Sequence, residues 1–296
     1  MRVFFIKGVL HLLALLPLPR VHAIATRLGK IIFQQNQLRI TQVTRTNIQL
    51  CFPQLSPVEQ DKLIKQSLIE TCKTVTELGA VWLWSYPQVL KQIQVVSNEI
   101  YLQQAVQTGQ GVILLTPHLG AWEIAGLYVS AHYPLTALYR PPKLIGLDNF
   151  IHQARERAGG CFVPTNQKGI RTVYQALHRG QVVGILPDQV PNEAAAGIFS
   201  PFFGVPAYTM MLVFRLVQKT GALVLFTYAE RLSRGSGFHL HFRQAPAMIN
   251  SAQVEISVRA LNQGVEQCVQ TCPSQYQWNY KRFKRHPDGE KSKSFY

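Results

Sequence analysis

The chain has 296 residues, of which 47% are apolar and only 15% charged. That much apolar content excludes disorder, and with at most one segment able to cross a bilayer it also excludes a polytopic membrane protein. Thirty Lys and Arg against 15 Asp and Glu give a formal net charge of +15, which points to an anionic partner: a membrane surface, a phosphorylated lipid, an acidic protein or a nucleic acid.

The charge sits at the two ends. Arg2, Lys7, Arg20, Arg27, Lys30, Arg39 and Arg45 all precede the first acidic residue, Glu59. Lys281, Arg282, Lys284, Arg285, Lys291 and Lys293 form a second cluster, offset by Asp288 and Glu290. The cysteines, Cys51, Cys72, Cys161, Cys268 and Cys272, are odd in number and contain no CxxC. That pattern fits reduced thiols in the cytosol better than a disulfide framework.

Residues 3–19 read VFFIKGVLHLLALLPLP. A full span needs about 20 apolar residues, and Lys7, Pro17 and Pro19 bound this run. It is a marginal span or an interfacial anchor. A signal peptide with Val21-His22-Ala23 as cleavage site is disfavoured by Pro17, Pro19 and Arg20, and a mitochondrial presequence by the absence of serine before Ser56. Val21, Ile24, Leu28, Ile31 and Ile32 follow helical spacing, with Arg20, Arg27 and Lys30 largely elsewhere. That is a basic amphipathic helix suited to a membrane surface, with its flank cytoplasmic. The expected partition is an anchor and amphipathic helix over 1–33 and one catalytic domain over 34–296.

Ser56-Pro57-Val58-Glu59 is a capping box with proline at the first helical position. It starts a long helix running into the region of Trp82 and Trp84. Strands and helices then alternate. Strands are expected at 94–96, 111–116, 135–139, 161–163, 182–186, 222–228 and 238–243. Helices are expected at 99–108, 121–132, 147–158, 170–178, 208–219 and 254–269. Residues 197–204 read as an apolar loop. The alternation predicts an α/β fold with a central mixed sheet covered by helices.

One segment carries chemistry: Leu115-Thr-Pro-His-Leu-Gly-Ala-Trp-Glu123. A buried strand runs into His118, and a helix opens near Gly120, at the end of the strand where α/β proteins bind ligands. Five residues on a continuous helix diverge by about 140°, so His118 and Glu123 converge only if His118 lies in the turn. Glu123 would then fix the imidazole and stabilise its charged form, leaving a general base. The motif holds no activated Ser or Cys, so the natural nucleophile is a substrate hydroxyl.

HLGAWE resembles the His-x4-Asp/Glu motif of the glycerolipid acyltransferase superfamily. With tryptophan before glutamate it resembles the late acyltransferases of lipid A biosynthesis, the lauroyl and myristoyl transferases. Other blocks are similar in the same order: Arg45-Thr-Asn-Ile-Gln-Leu-Cys-Phe-Pro-Gln-Leu-Ser56, Tyr139-Arg-Pro-Pro-Lys143, Lys168-Gly-Ile-Arg171, Ile185-Leu-Pro-Asp-Gln189 and Gln277-Trp-Asn-Tyr-Lys-Arg-Phe283. Gln54 departs from the glutamate usual in the first block. The resemblance implies transfer of a fatty acyl group from acyl carrier protein to a hydroxyl on an acyl chain of a lipid A precursor (Kdo-lipid IVA or its acylated form). It implies His118 as base, Glu123 as its orienting group and no cofactor or metal. The expected location is the cytoplasmic face of a bacterial inner membrane, on anionic lipids. Arg140, Lys143, Arg155, Arg157, Arg171 and Asp188 are candidates for phosphate, carrier or substrate contacts. The rival readings are acyl transfer to a glycerol phosphate or glycolipid and, from another class, a basic membrane-attached binding protein. No nucleic-acid motif appears, and no HExxH or paired ligand set supports a zinc hydrolase.

Overall fold

The computed structural model describes residues 2–142, 144–289 and 295–296. Lys143, Glu290, Lys291 and Lys293 therefore lie outside the described residues. The chain opens with four helices, α1 (Arg2–Ala14), α2 (Leu18–Gln34), α3 (Arg39–Cys51) and α4 (Pro57–Leu83). The capping box at α4 forms as expected: Ser56 Oγ accepts from the Glu59 amide while the Glu59 carboxylate accepts from the Ser56 amide. Helices α1 and α2 lie on α4 through close backbone approach. A Cβ at Gly79 would sit 2.6 Å from the Leu10 carbonyl, and one at Gly29 only 2.5 Å from Ile69 Cα. Trp84 Nε1 also donates to the Ala14 carbonyl at 2.7 Å. Among the described residues no helix is long and apolar enough to cross a membrane.

After α5 (Tyr86–Leu90), strands and helices alternate: β1 (Ile93–Ser97), α6 (Ile100–Gln107), β2 (Val112–Leu115), α7 (Trp122–His132), β3 (Leu135–Tyr139), α8 (Asp148–Glu156), β4 (Cys161–Pro164), α9 (Gln167–His178) and β5 (Val182–Ile185). A hairpin follows, β6 (Gly197–Phe202) and β7 (Val205–Met210), and then α10 (Leu212–Thr220), β8 (Leu223–Arg231), β9 (Phe238–Gln244) and α11 (Val254–Thr271). Seven strands form one sheet in the order β1-β9-β8-β2-β5-β3-β4. Its pairings are parallel except β8 with β9. The expected α/β class with a mixed sheet holds.

The sheet is two-faced, and β2 shows why its sequence is a continuous apolar run. Ile113 and Leu115 enter the core beneath α9, α10 and α11, with Ile64 and Leu68 of α4. Val112 and Leu114 enter a second core beneath α6 and α7. A period of two gives each face its own layer, and burial on both faces removes the polar alternation.

Two expectations need correction. The helix expected over 208–219 starts only at Leu212, because 205–210 is strand β7. The apolar loop expected over 197–204 is largely strand β6, paired with β7. The hairpin is held from above by α11: Asn262 Nδ2 donates to the carbonyls of Ser200 and Pro201 at 3.3 and 2.9 Å. Helix α3 has a mixed inward face, burying Thr41, Thr44 and Asn47 together with Val43, Ile48 and Cys51. Asn47 Nδ2 donates to the carbonyls of Trp278 and Tyr280 at 2.6 and 2.7 Å. The first and last family-like sequence blocks thus meet in space.

Candidate active site

β2 and β5 are adjacent and parallel, with Leu115 paired to Ile185. Three residues past Leu115 comes His118, and three past Ile185 comes Asp188. The register therefore delivers both side chains to the same place at the carboxyl edge of the sheet. His118 Nδ1 lies 2.7 Å from Asp188 Oδ1, and the His118 amide donates to Asp188 Oδ2 at 2.8 Å. Asp188 is 3% exposed. Burial, the largest influence, raises its pKa, but the charge of His118 and the two hydrogen bonds from it hold the carboxyl below its ordinary value. An ionised Asp188 accepts from Nδ1–H, which leaves the lone pair on Nε2.

Nε2 faces the Gln189 amide at 3.2 Å. Read with the nitrogen towards the ring, that amide donates to Nε2 from the place an incoming hydroxyl would take. The Trp122 indole meets the imidazole edge-on, with ring centroids 5.0 Å apart.

The turn is pinned on several sides. Gly120 has φ +59°, and a Cβ there would lie 2.1 Å from the Ala229 carbonyl. The Gln277 amide donates to the His118 carbonyl at 3.0 Å, and the Gly120 amide to the Gln275 carbonyl at 3.1 Å. Beneath it, buried Arg231 donates to the Gly120 carbonyl at 3.0 Å and from Nε to both Glu77 oxygens, at 3.1 and 2.9 Å. The carboxyl-terminal block thus fixes the loop that carries His118.

Glu123 stands in the first turn of α7 and does not take the position expected of it: the carboxylate on the imidazole is that of Asp188. Glu123 instead binds Arg155 of α8 as a two-pronged pair, with Nε to Oε2 at 2.9 Å and Nη2 to Oε1. Trp82 Nε1 reaches Oε2 at 3.4 Å. The αL turn at Gly120 directs His118 towards β5 and leaves Glu123 facing α8. Burial, again the largest influence, raises the Glu123 pKa, but Arg155, Trp82 and more weakly His118 bring it below its ordinary value.

Both groups line a cavity of about 840 Å³. At its mouth stand His118, Glu123, Arg140 and Arg215; its inner wall is apolar, with Leu114, Gly126, Val129, Leu135 and Ala137. Of the other sequence candidates, Arg155 and Arg157 also line it. Arg155 is committed to Glu123 and lies over the Tyr139 ring at 5.0 Å. Arg157 donates to the Val81 carbonyl at 2.5 Å and to that of Ala154. Arg140 is exposed, whereas Arg171 is exposed on α9 outside the cavity. Gln189, Trp82 and Arg231 were not singled out from the sequence. Gln189 had a signal in its place beside Asp188; Arg231 had none.

Among the described residues one group could hold a metal ion, Glu230, His239 and His241 on β8 and β9. Its members are already partnered: His241 Nε2 with Glu230 at 2.9 Å and His239 Nε2 with Ser97 at 2.7 Å.

The chain is 29% identical over 291 residues to the lipid A biosynthesis palmitoleoyltransferase of Escherichia coli K12, covering 98% of this chain and 93% of that one. It is 25% identical over 287 residues to the lauroyltransferase of the same organism, covering 97% and 92%. To the myristoyltransferase it is 24% identical over 247 residues, covering 82% and 75%. The model of the bacterial lipid A biosynthesis acyltransferase family matches residues 1–285. The chain is an acyltransferase and belongs to that family.

Proposed function

We propose that this enzyme moves a fatty acyl group from an acyl carrier protein thioester to a hydroxyl on an acyl chain of a lipid A precursor, at the cytoplasmic face of the inner membrane. The observation that carries the reading is the His118–Asp188 pair, whose Nε2, met by the Gln189 amide where an incoming hydroxyl would sit, opens onto a cavity. Nε2 takes the proton of the acceptor hydroxyl as its oxygen attacks the thioester carbonyl. The tetrahedral intermediate collapses, the carbon–sulfur bond breaks, and the imidazolium returns the proton to the departing thiolate. No cofactor is needed for that balance.

Asp188 holds the tautomer and stabilises the imidazolium. Glu123 adds negative charge to the pocket and fixes Arg155. Exposed Arg140 at the mouth suits a phosphate of the acceptor, since guanidinium binds phosphate bidentately. The basic surface suits an acidic carrier and an anionic leaflet. Phe4, Phe5 and Leu12 of α1, Leu15 just after it, and Leu28 and Ile31 of α2 are exposed, as are Arg20, Arg27 and Lys30. That surface suits docking on a bilayer rather than crossing it.

The test is mass spectrometry of a lipid A precursor incubated with acyl carrier protein thioesters and the enzyme. A product heavier by one acyl group, absent with Glu123→Ala and with His118→Ala, is the expected result. No product with any donor from C10 to C16, from folded protein, would redirect the search to glycerol phosphate or glycolipid acceptors.

A further inference from the structure

Helix α7 roofs the inner part of the cavity, and its sequence has a gap there. Trp122, Gly126 and Val129 stand at i, i+4 and i+7, one stripe of the helix, and all three line the cavity. Tryptophan closes the stripe at the mouth and valine at the inner end. Between them is a glycine, a residue that helix interiors disfavour. It is not there for close packing, because a Cβ at Gly126 would meet no atom within 4 Å. It has a helical backbone, so no turn demands it. What its missing side chain leaves is cavity.

The opposite wall is small and closely packed. Gly184 of β5 lines the cavity beside Ala137 and Leu135 of β3, and a Cβ on Gly184 would come within 3.2 Å of Ala137 Cβ and 3.4 Å of Leu135 Cδ1. The parallel strands run towards His118, so Tyr139 marks the mouth and Leu135 the inner end. Four residues at a strand rise of about 3.3 Å make this passage roughly 13 Å deep. Arg155 lies over the Tyr139 ring at the mouth; inward of it Leu114, Gly126, Val129, Leu135, Ala137 and Gly184 give an apolar surface, fitting a straight hydrocarbon chain lying between helix and sheet.

We propose that Gly126 sets the acyl-chain length this enzyme accepts, by keeping open the inner half of the passage so that the methyl end of the donor's chain lies beyond it, against Val129 and Leu135. The proposal rests on the acyl-transfer reading above and adds the residue that selects the donor. A side chain at 126 would fill the space taken by the distal methylenes and leave the carbonyl end, beside His118, untouched.

The experiment compares wild type, Gly126→Ala and Gly126→Leu with carrier-protein donors from C8 to C16, and measures binding of saturated free fatty acids of the same lengths by calorimetry. The binding arm needs no acceptor lipid. One methylene misfitted in an apolar pocket is worth about 10- to 200-fold in discrimination. The ratio of long-donor to short-donor kcat/KM should therefore fall at least about tenfold in Gly126→Leu, and less in Gly126→Ala. Transfer from the shortest donor should remain near wild type, which also certifies the fold. Fatty-acid binding should lose its longest members in the same order. An unchanged length profile, or an equal loss at every length in a folded variant, overturns the proposal while leaving acyl transfer standing. If wild type transfers no chain yet binds fatty acids with a cutoff that the variants shorten, the length assignment stands and the acceptor reading fails. If wild type neither transfers nor binds them, both fail.

Discussion

His118 and Asp188 are joined twice, ring to one carboxylate oxygen at 2.7 Å and backbone amide to the other at 2.8 Å. One bond fixes the tautomer and the other fixes the loop, so a single buried carboxylate sets both chemistry and position. Asp188→Asn keeps the shape but puts an amide where an acceptor is required. The imidazole can then present N–H instead of a lone pair to the substrate. Transfer should fall by about 10²- to 10⁴-fold with little change in KM. Steady-state rates with acyl carrier protein thioesters check this; a fall below tenfold would remove Asp188 from the machinery.

Glu123 and Arg155 form a pair whose two halves should behave differently. Glu123→Gln leaves Arg155, whose side chain is 24% exposed, without its charge partner. Breaking a fully buried pair costs about 3–5 kcal/mol, and the partial exposure of Arg155 places this one at or below the lower figure. Glu123→Gln/Arg155→Met should recover stability because no charge is stranded. It should not recover activity if Glu123 serves the imidazolium. Urea denaturation and rate measurements on the three variants separate the two roles.

Acid should unfold this enzyme through carboxylates already identified. Asp188 and Glu77 are buried and Glu123 is partly buried, and each is held below its ordinary value; burial alone would raise them, but His118, Arg155 and Arg231 outweigh it. A depressed carboxyl contributes stability fully above its unfolded value, about 4, and loses it as pH falls through the folded value. Stability should therefore be flat in these groups above about pH 5 and fall below about pH 4. Urea midpoints between pH 3 and 7 should show that slope, and Asp188→Asn should make it shallower.

How far the sequence carries the site depends on which neighbours are local. His118 and Glu123 are legible because strand, turn and helix are contiguous in one motif. That Asp188 rather than Glu123 holds the imidazole depends on β2 and β5 being adjacent with Leu115 opposite Ile185, and an alternation of strands and helices does not fix strand order. The α/β class was legible from the fully buried runs at β2 and β5. Strand β7 was not, because Tyr208 to Met210 joins directly onto the helical periodicity of α10, and only pairing with β6 decides it. Helix α3 sets Thr41, Thr44 and Asn47 on its inward face, and the carbonyls that Asn47 binds, those of Trp278 and Tyr280, lie at the far end of the chain. Arg231 is a lone arginine in sequence, and its role exists only once α4, β8 and the His118 turn are brought together.

The exposed surface of α1 and α2 gives the last prediction, and its two components can be separated. Apolar burial and attraction to anionic lipid contribute differently to membrane binding. Leu28→Glu would remove a side chain worth about 1.5–3 kcal/mol when fully buried in the interface and add a repelled charge. Arg27→Gln and Lys30→Gln would each remove about 1 kcal/mol at low salt, and only on vesicles containing anionic lipid. Cosedimentation with neutral and anionic vesicles should then show Leu28→Glu weakened on both. The two Gln variants should weaken on the anionic vesicles alone, with the difference shrinking as salt is raised. Because these side chains are exposed on the helix surface and lie outside the cavity, transfer to a detergent-dispersed acceptor should stay near wild type. A variant that lost that activity too would show that the surface serves the catalytic fold itself rather than the bilayer.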